Sequence, residues 1–429
     1  MAAIDASQYE EITIESFDGT KTVDIRFGVV GIDYYEDVFS PTITMKLLVS
    51  STGGTNNADG KFQALYSGLP LRGGERVSVK VLGNSGSNKG LDFSTKDEYL
   101  YVSSITNVIT EGQREAFTLH LVSKEALANE TTRVYEKFPS SYRIDASVEK
   151  IIKDKLNTPK PVEVDVASNK YGFIGNLRKP FTVLTWLASK AVSEDGKSAG
   201  FLFYQTQEGF KFKSIDKLIA QSPKQKYTYS EIAKASNVAD NDFKILKYNI
   251  QRNQNLVEKL RLGAYSSKLS TFNPLDGTFA TGTVGTTNNM KNLGQNQDLP
   301  NIRSKANQRI IDIPSRNMTQ IIDVGTLEKG VSTDKNADPY ENIRQSVIRY
   351  NLLFNQTIDM TIPLNTNLKA GDIIDCEFPK ISLKDKEIDA DKSGLYMIKE
   401  LCHHFDTQAS ITSMKLVRDT FGVYGTNNK

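Results

Sequence analysis

The sequence predicts a mainly β protein with α+β insertions, in which one strand-rich unit occurs twice. Three observations carry that expectation. Apolar and polar residues alternate along most of residues 10–123 and again along 368–421, which is the period of a half-buried antiparallel strand. Between these stretches the apolar spacing lengthens to three and four, as on an amphipathic helix. Finally, Leu71-Arg72-Gly73-Gly74-Glu75-Arg76-Val77-Ser78-Val79 has the form of Leu368-Lys369-Ala370-Gly371-Asp372-Ile373-Ile374-Asp375-Cys376: leucine, basic residue, small residue, glycine, acid, alternating strand.

The match extends along both copies. Leu100-Tyr101-Val102 answers Leu395-Tyr396-Met397, and Leu119-His120-Leu121-Val122 answers Met414-Lys415-Leu416-Val417. Tyr101 precedes Leu121 by 20 positions, and Tyr396 precedes Leu416 by 20. Upstream, Ile43, Met45 and Leu47 are answered by Ile358, Met360 and Ile362, but 29 positions separate Met45 from Gly74 and 11 separate Met360 from Gly371. The first copy therefore carries an insertion, and residues 51–60 have the composition of a loop. A single alternating strand finds chance matches easily; four segments in one order point to duplication.

Taken in order, residues 11–15 and 23–27 alternate around Phe17-Asp18-Gly19-Thr20 and read as a hairpin. Two further apolar segments follow around Asp33 and Pro41, so residues 1–125 are expected to form a first β-barrel, closure removing exposed strand edges. Residues 126–160 read as a helical connector. Asp145 is placed to cap a helix carrying Val148, Ile151, Ile152 and Leu156 on one face, and Pro159 and Pro161 stop it. Residues 161–240 read as a small α+β module: Pro180 opens a helix over 181–192, a hairpin turns at Gln207-Glu208-Gly209, and a short helix covers 214–219.

Residues 241–337 read as strands plus a long polar arm at about 266–307, with strands expected across 242–262, at 310–313 and at 319–324. The arm is rich in Gly, Thr and Asn, has little to bury, and is expected to order against a neighbour. Residues 338–429 read as a helix and a second β-barrel. Asp338-Pro339 starts that helix, with Ile343, Val347, Tyr350, Leu353 and Phe354 on one face.

At 429 residues the chain has ample volume for cores without covalent staples. Its two cysteines, Cys376 and Cys402, make no disulfide framework, which fits a reducing compartment. With 53 Lys+Arg against 51 Asp+Glu the formal charge is +2, so the total predicts neither a nucleic-acid nor a membrane partner. The first residues lack the basic and apolar regions of a signal peptide and no long apolar run occurs, so a soluble chain is expected.

Chemistry is sparse. Cys402-His403-His404 is the only tempting metal-ligand set; neighbours on a strand point to opposite faces, so Cys402 and His404 share a face that His403 does not. Two ligands do not make a zinc site, and His120 stands alone. No G-x-S-x-G, H-E-x-x-H, P-loop or dinucleotide glycine pattern occurs. The basic run at 224–229 interleaves lysines and tyrosines as a single-strand binder would, but a solvated hairpin edge carries the same residues more often. Trp186 with Phe201, Phe203, Phe210 and Phe212 is read as core rather than as a ligand pocket. No catalytic, cofactor-binding or metal residue is assigned, and no enzyme is expected.

The order of these elements resembles a family, the central hub proteins of contractile phage-tail baseplates, related to the hub domains of type VI secretion spikes. The resemblance rests on the Gly371-Asp372 strand, on Gly394-Leu395-Tyr396-Met397-Ile398, on the closing Leu416-Val417-Arg418-Asp419, and on the middle module from Pro180 through Asp216. It implies two tail-tube-like barrels per chain and a homotrimer whose six barrels imitate sixfold symmetry. Such a ring adapts a hexameric tail tube above to a trimeric central spike below, with tape measure and baseplate wedge proteins as further partners. It implies no sequence-specific nucleic-acid binding and no stable membrane insertion. The virion tail baseplate is the expected location, with assembly in the host cytoplasm. Rival readings are a tail-associated peptidoglycan hydrolase and a carbohydrate-binding receptor adhesin.

Overall fold

The computed structural model describes residues 2–52, 65–69, 71–194, 199–229, 241–252, 255–272, 274, 277–285, 293, 302–321, 342–380 and 388–420. Strands dominate, and most of them share one sheet of 15 strands. The mainly β class with α+β insertions is therefore what the chain adopts.

The first β unit runs through one hydrogen-bonded path. From one end it takes Val29–Asp37, Thr44–Thr52, Arg114–Ser123, Leu100–Glu111, Arg76–Leu82, Gln8–Glu15 and Thr22–Asp24, with Gly90–Phe93 added beside Arg76–Leu82. Alternation places Ile32, Leu47, Leu119, Val79 and Ile12, each 0% exposed, in one core. The path's two ends meet through the turn at 25–28, where Ile25 N donates to Ile12 O at 2.8 Å and Ser50 N donates to Gly28 O at 2.7 Å. That turn brings the two ends of the path together.

The second unit repeats the path in the same chain order: Lys247–Arg252, Gln356–Pro363, Ser410–Arg418, Gly394–Asp406, Ile373–Glu377, Lys226–Tyr229 and Lys244–Ile245. Its core holds Tyr227, Ile358, Met360, Ile374, Tyr396, Ile398, Leu401 and Leu416. Lys226–Tyr229 lies parallel to its neighbour, where Gln8–Glu15 lies antiparallel.

The correspondence is residue by residue at the turn that leads into Arg76–Leu82 in the first unit and Ile373–Glu377 in the second. Gly74 N donates to Val102 O at 2.7 Å and Val102 N to Glu75 O at 2.9 Å; Gly371 N donates to Ile398 O at 2.8 Å and Ile398 N to Asp372 O at 2.9 Å. The acid caps the turn in both copies, accepting from Arg72 N at 2.5 Å in Glu75 and from Lys369 N at 3.0 Å in Asp372. Both glycines hold positive φ, +93° and +91°. The long strands that follow carry a bulge at the same place, between Val102 and Ser104 and between Ile398 and Glu400.

This geometry corrects two of the expected pairs. Leu100, not Tyr101, stands where Tyr396 stands, because Leu100 and Tyr396 are both 0% exposed while Tyr101 faces outward; one residue of slip exchanges the faces. Upstream, Leu47 pairs with Leu119 as Met360 pairs with Met414, so Leu47 and not Met45 matches Met360. Both copies keep the expected parity there, shifted by one repeat of the pleat.

Between the units lies the α+β module. Helices Lys124–Thr131, Ile144–Ile151 and Pro180–Ala188 pack with the sheet Val162–Val164, Gly209–Ser214 and Phe201–Thr206. Ile144–Ile151 is capped at Arg143, and Asp145 pairs with the Arg143 guanidinium at 2.8 Å instead of capping. A helix also replaces part of the expected 242–262 strand run. Asn255 accepts from Glu258 N at 3.1 Å and Gly263 takes the left-handed conformation, so Leu256–Leu262 is capped at both ends.

The arm is not simply extended. Ser266–Phe272 pairs with Phe279–Gly285 and with Arg316–Ile321 in a three-stranded sheet. Residues 310–312 form a 3-10 turn closed by Arg309 and Asp312 at 2.8 Å, not a strand. The 224–229 segment is not a hairpin edge: Lys226–Tyr229 lies between Ile373–Glu377 and Lys244–Ile245, with Tyr227 fully buried. Asp338, Pro339 and residues 53–60, 286–292 and 294–301 lie outside the described residues.

A Cβ added at Gly74 meets nothing within 4 Å, whereas one added at Gly371 runs into the hydroxyl of Tyr204, which is 3% exposed. Gly74→Ala is therefore expected to cost only backbone strain, about 1–2 kcal/mol. Gly371→Ala should cost a further ~1–3 kcal/mol for the displaced Tyr204. Urea unfolding of the two variants side by side checks the order.

Candidate assembly interface

The two β units are joined edge to edge. Val29–Asp37 of the first pairs antiparallel with the outer half of Gly394–Asp406 of the second, from Glu400↔Asp37 to Asp406↔Gly31. Val38 N extends the ladder to Lys399 O at 2.9 Å, and Lys399 Nζ meets Asp37 at 3.2 Å. The strand Gly394–Asp406 thus serves both sheets: Met397 and Ile398 belong to its own unit, and residues 400–406 carry the neighbour. Across the seam the rings of Tyr34 and His403 stack, with centroids 6.0 Å apart.

A buried carboxylate fastens the seam. Glu36 is 2% exposed. It accepts from Tyr34 Oη at 2.8 Å, from Gln207 N in the module hairpin at 2.7 Å, and from Ala370 N in the second unit's turn at 2.9 Å. One side chain therefore ties three parts of the fold. Burial pushes its carboxyl up to about 7, against the hydrogen bonds from Ala370, Gln207 and Tyr34 and the nearby Lys369 charge, which favour the ionised form.

The connecting helix Asn342–Leu352 is held by an arginine. Arg349, 1% exposed, donates to Asp419 at 3.0 Å and to Asp216 at 2.6 Å, and Asp419 also accepts from Leu293 N at 2.9 Å. The last strand, the module and the connector meet at this guanidinium. Of the residues expected on the helix's inner face, Leu353 is fully buried, but Val347 is only half-buried and Ile348 and Arg349 take the inner positions. A third tie is Asp242, which accepts from Ala3 N at 3.0 Å and from Ser87 Oγ at 3.2 Å.

The sequence-derived candidates fall as follows. His403 is buried among the seam residues, accepts or donates with Thr412 Oγ1 at 2.9 Å, and is pushed by burial down to about 4, so it stays neutral. His404 and Cys402 do share a face: His404 Nδ1 lies 2.5 Å from Asp33 Oδ1 and Cys402 Sγ lies 4.0 Å from it. Burial raises the Cys402 thiol to about 12, far from a thiolate ligand. Among the described residues no group of three or more His, Cys, Asp or Glu is placed to hold a metal. His120 sits elsewhere, 2.8 Å from Thr106 Oγ1.

Phe201, Phe203, Phe210 and Phe212 are core, but Trp186 is 39% exposed beside Phe173 and Ile174. The lysines near Glu163, Asp165, Glu208 and Asp372 form a cleft in which Lys211, Lys213, Lys217, Lys224 and Lys369 each lie within 4.0 Å of a carboxylate. The cleft is therefore of mixed charge rather than a patch of one sign. Glu36 and Arg349 were not anticipated. Glu36 carried a signal, since a charged residue occupies the inward parity set by Ile32 and Tyr34; Arg349 carried only its place in a helix.

No family model matches the chain. The probable baseplate hub protein gp334 of Vibrio phage KVP40 is 22% identical over 307 residues, covering 68% of this chain and 70% of that protein. The fold matches the tail protein of Neisseria meningitidis MC58 with a TM-score of 0.56 at 9% identity, covering 96% of this chain and 97% of that one. It also matches the 43 kDa tail protein of prophage MuSo2 from Shewanella oneidensis, with a TM-score of 0.53 at 11% identity over 96% and 99% of the two chains. The chain has the fold of those tail proteins and is similar in sequence to a baseplate hub.

Glu36 sets a pH dependence with a defined sign. Its folded-state pKa of about 7 lies above the ordinary 4.5, so the folded chain keeps a proton that the unfolded chain releases. Its contribution is fully present below about 4.5 and is lost as pH rises through about 7. Unfolding stability measured from pH 4.5 to 8 is expected to fall more steeply in the native protein than in Glu36→Gln. Arg349→Met strands the buried Asp419 carboxylate and is expected to cost about 3 kcal/mol or more by the same measurement.

Proposed function

We propose that this chain is a structural hub protein of a contractile phage-tail baseplate. Three copies form a ring of six similar β units that adapts a hexameric tail tube to a trimeric central spike. The observation that carries the reading is the seven-strand path, present twice and fused edge to edge within one chain. A relation that joins unlike copies head to tail generates a ring when its rotation closes. With two units per chain, three chains place six units around a true threefold axis.

Similarity to a phage baseplate hub and the tail-protein fold support this reading. The role is assembly and load transfer rather than turnover: no G-x-S-x-G, H-E-x-x-H, P-loop or dinucleotide glycine pattern occurs in the sequence, and the polar side chains buried at the junctions are tied to one another. The expected place is the virion tail baseplate, reached by assembly in the host cytoplasm, with tube and spike proteins as direct partners and tape measure and wedge proteins as further ones. We assign about 1–125 to the first barrel, 126–160 to the connector and 338–429 to most of the second barrel; the module, 161–240, lends that barrel Lys226–Tyr229, and 241–337, which holds the arm, lends it Lys244–Ile245 and Lys247–Arg252.

The copies differ where the ring needs threefold rather than sixfold identity. Among the described residues, Gly90–Phe93 adds a named strand to the first unit's path alone. The sheet built on Ser266–Phe272 is inserted in the second unit, between Lys247–Arg252 and Gln356–Pro363. Twenty-seven positions separate Leu47 from Gly74, against 11 from Met360 to Gly371.

Light scattering on the purified chain should give the mass of three 47.8 kDa subunits, and end-on particle averages should show sixfold modulation around an open centre. A monomer or dimer at micromolar concentration sinks the reading.

A further inference from the structure

Resting on the reading of the chain as a ring subunit, we propose that the ring closes by strand addition between copies. The outer edge of Leu100–Glu111 in one chain pairs antiparallel with the outer edge of Lys247–Arg252 in a second copy of the chain. The seam inside the chain is the template. There, the outer half of Gly394–Asp406 adds to Val29–Asp37. The matching strands follow from the repeat: Leu100–Glu111 corresponds to Gly394–Asp406, and Lys247–Arg252 corresponds to Val29–Asp37, because Tyr248 pairs with Met360 as Ile32 pairs with Leu47.

Both matching edges are open. Leu100–Glu111 pairs with Arg76–Leu82 only at Leu100 and Tyr101, so beyond Val102 its second edge meets no strand among the described residues. Lys247–Arg252 pairs with Gln356–Pro363 alone among them. Burial shows the same deficit. Ile32 and Tyr34 are 0% and 1% exposed beneath the in-chain seam, while Tyr248 and Ile250, their counterparts, are only partly buried. Leu401 is 0% exposed beneath the seam, whereas its counterpart Ile105 is only partly buried. Open strand edges, with their unpaired N–H and C=O groups, invite pairing with another chain.

The template also sets the register. Cys402↔Tyr35, His404↔Asp33, Phe405↔Ile32 and Asp406↔Gly31 transfer to Thr106 opposite Arg252, Ile109 opposite Asn249, Thr110 opposite Tyr248 and Glu111 opposite Lys247 of the second copy. The last pair brings opposite charges together, and cross-strand charge pairs of that kind favour one register over its neighbours. The contact is head to tail: each chain offers one edge of each kind. Two unlike edges per chain generate a closed ring of chains, and three chains complete six units.

The test is oxidative cross-linking of the full-length Glu111→Cys/Lys247→Cys double variant, with each single variant and the native chain as controls. The expected result is a ladder of covalent dimer and trimer on a denaturing gel for the double variant and single chains for the rest. Charge reversal supplies a second readout: Glu111→Lys and Lys247→Glu should each raise the concentration of half-assembly severalfold, and the double reversal should return it toward the native value. These positions are solvent-facing within one chain, so circular dichroism of the variants should match the native spectrum. If the native chain is trimeric by mass but the double variant does not cross-link, the edge pairing is wrong and the hub reading stands. If the native chain is monomeric, both fall. Cross-linking by either single variant overturns the register.

Discussion

Backbone hydrogen bonding across the seam between Val29–Asp37 and Gly394–Asp406 is the interaction on which the rest of the structure depends. A β unit rolled from one sheet still presents strand ends and open edges, and each unpaired N–H and C=O left away from water is costly. In this chain the second unit's long strand overruns its own partner, Ile373–Glu377, and spends its outer half on the first unit. Orientation of one unit on the other is then set by a ladder, whose register side chains enforce, rather than by a flexible linker. The mechanical consequence is stiffness: a load on one unit reaches the other through backbone hydrogen bonds.

Around that ladder the polar groups that burial strands are used as fasteners. Glu36 gathers N–H donors from the module and from the second unit's turn, and Arg349 stands between Asp216 and Asp419. Neither group is a cheap source of stability, because desolvating a charge offsets most of what its partners return. What such groups do supply is specificity: an apolar residue at Glu36 would pack, but it would leave Ala370 N and Gln207 N without their acceptor and would allow the three parts to slide. Gly371 has the complementary role, letting the turn approach the module closely enough that Tyr204 lies against it.

How much of this was legible in the sequence follows from which interactions are local. The duplication was readable because turn chemistry is local: glycine at positive φ followed by a capping acid recurs as Gly74-Glu75 and Gly371-Asp372. Its registration was less so. Tyrosine at 101 and 396 looked equivalent by type, yet one faces outward and the other into the core, and only the bulges after Val102 and Ile398 show which residues coincide. The arm differs from its expectation for a related reason: Ser266–Phe272 has the composition of a loop and becomes a strand because the next segment, Phe279–Gly285, and the more distant Arg316–Ile321 supply its partners. The fasteners were illegible because each depends on partners far along the chain: Glu36 and Ala370 are separated by 334 positions, and Arg349 and Asp216 by 133.

Under the proposed ring, the cost of association explains why a chain carries two units rather than one. A ring of six separate subunits makes six intermolecular joints, each opposed by lost translational and rotational freedom. Fusing the units in pairs makes alternate joints intramolecular, where effective concentration replaces bulk concentration. The fused joint then has no need of an especially favourable surface, and in this chain it is secured by buried polar contacts that no encounter between free subunits has to find. Fusion also frees the two copies to diverge. The strand Lys226–Tyr229 reversed its direction relative to Gln8–Glu15 without loss of the path, which is tolerable when the unit has one kind of neighbour on each side and never needs to occupy its partner's place.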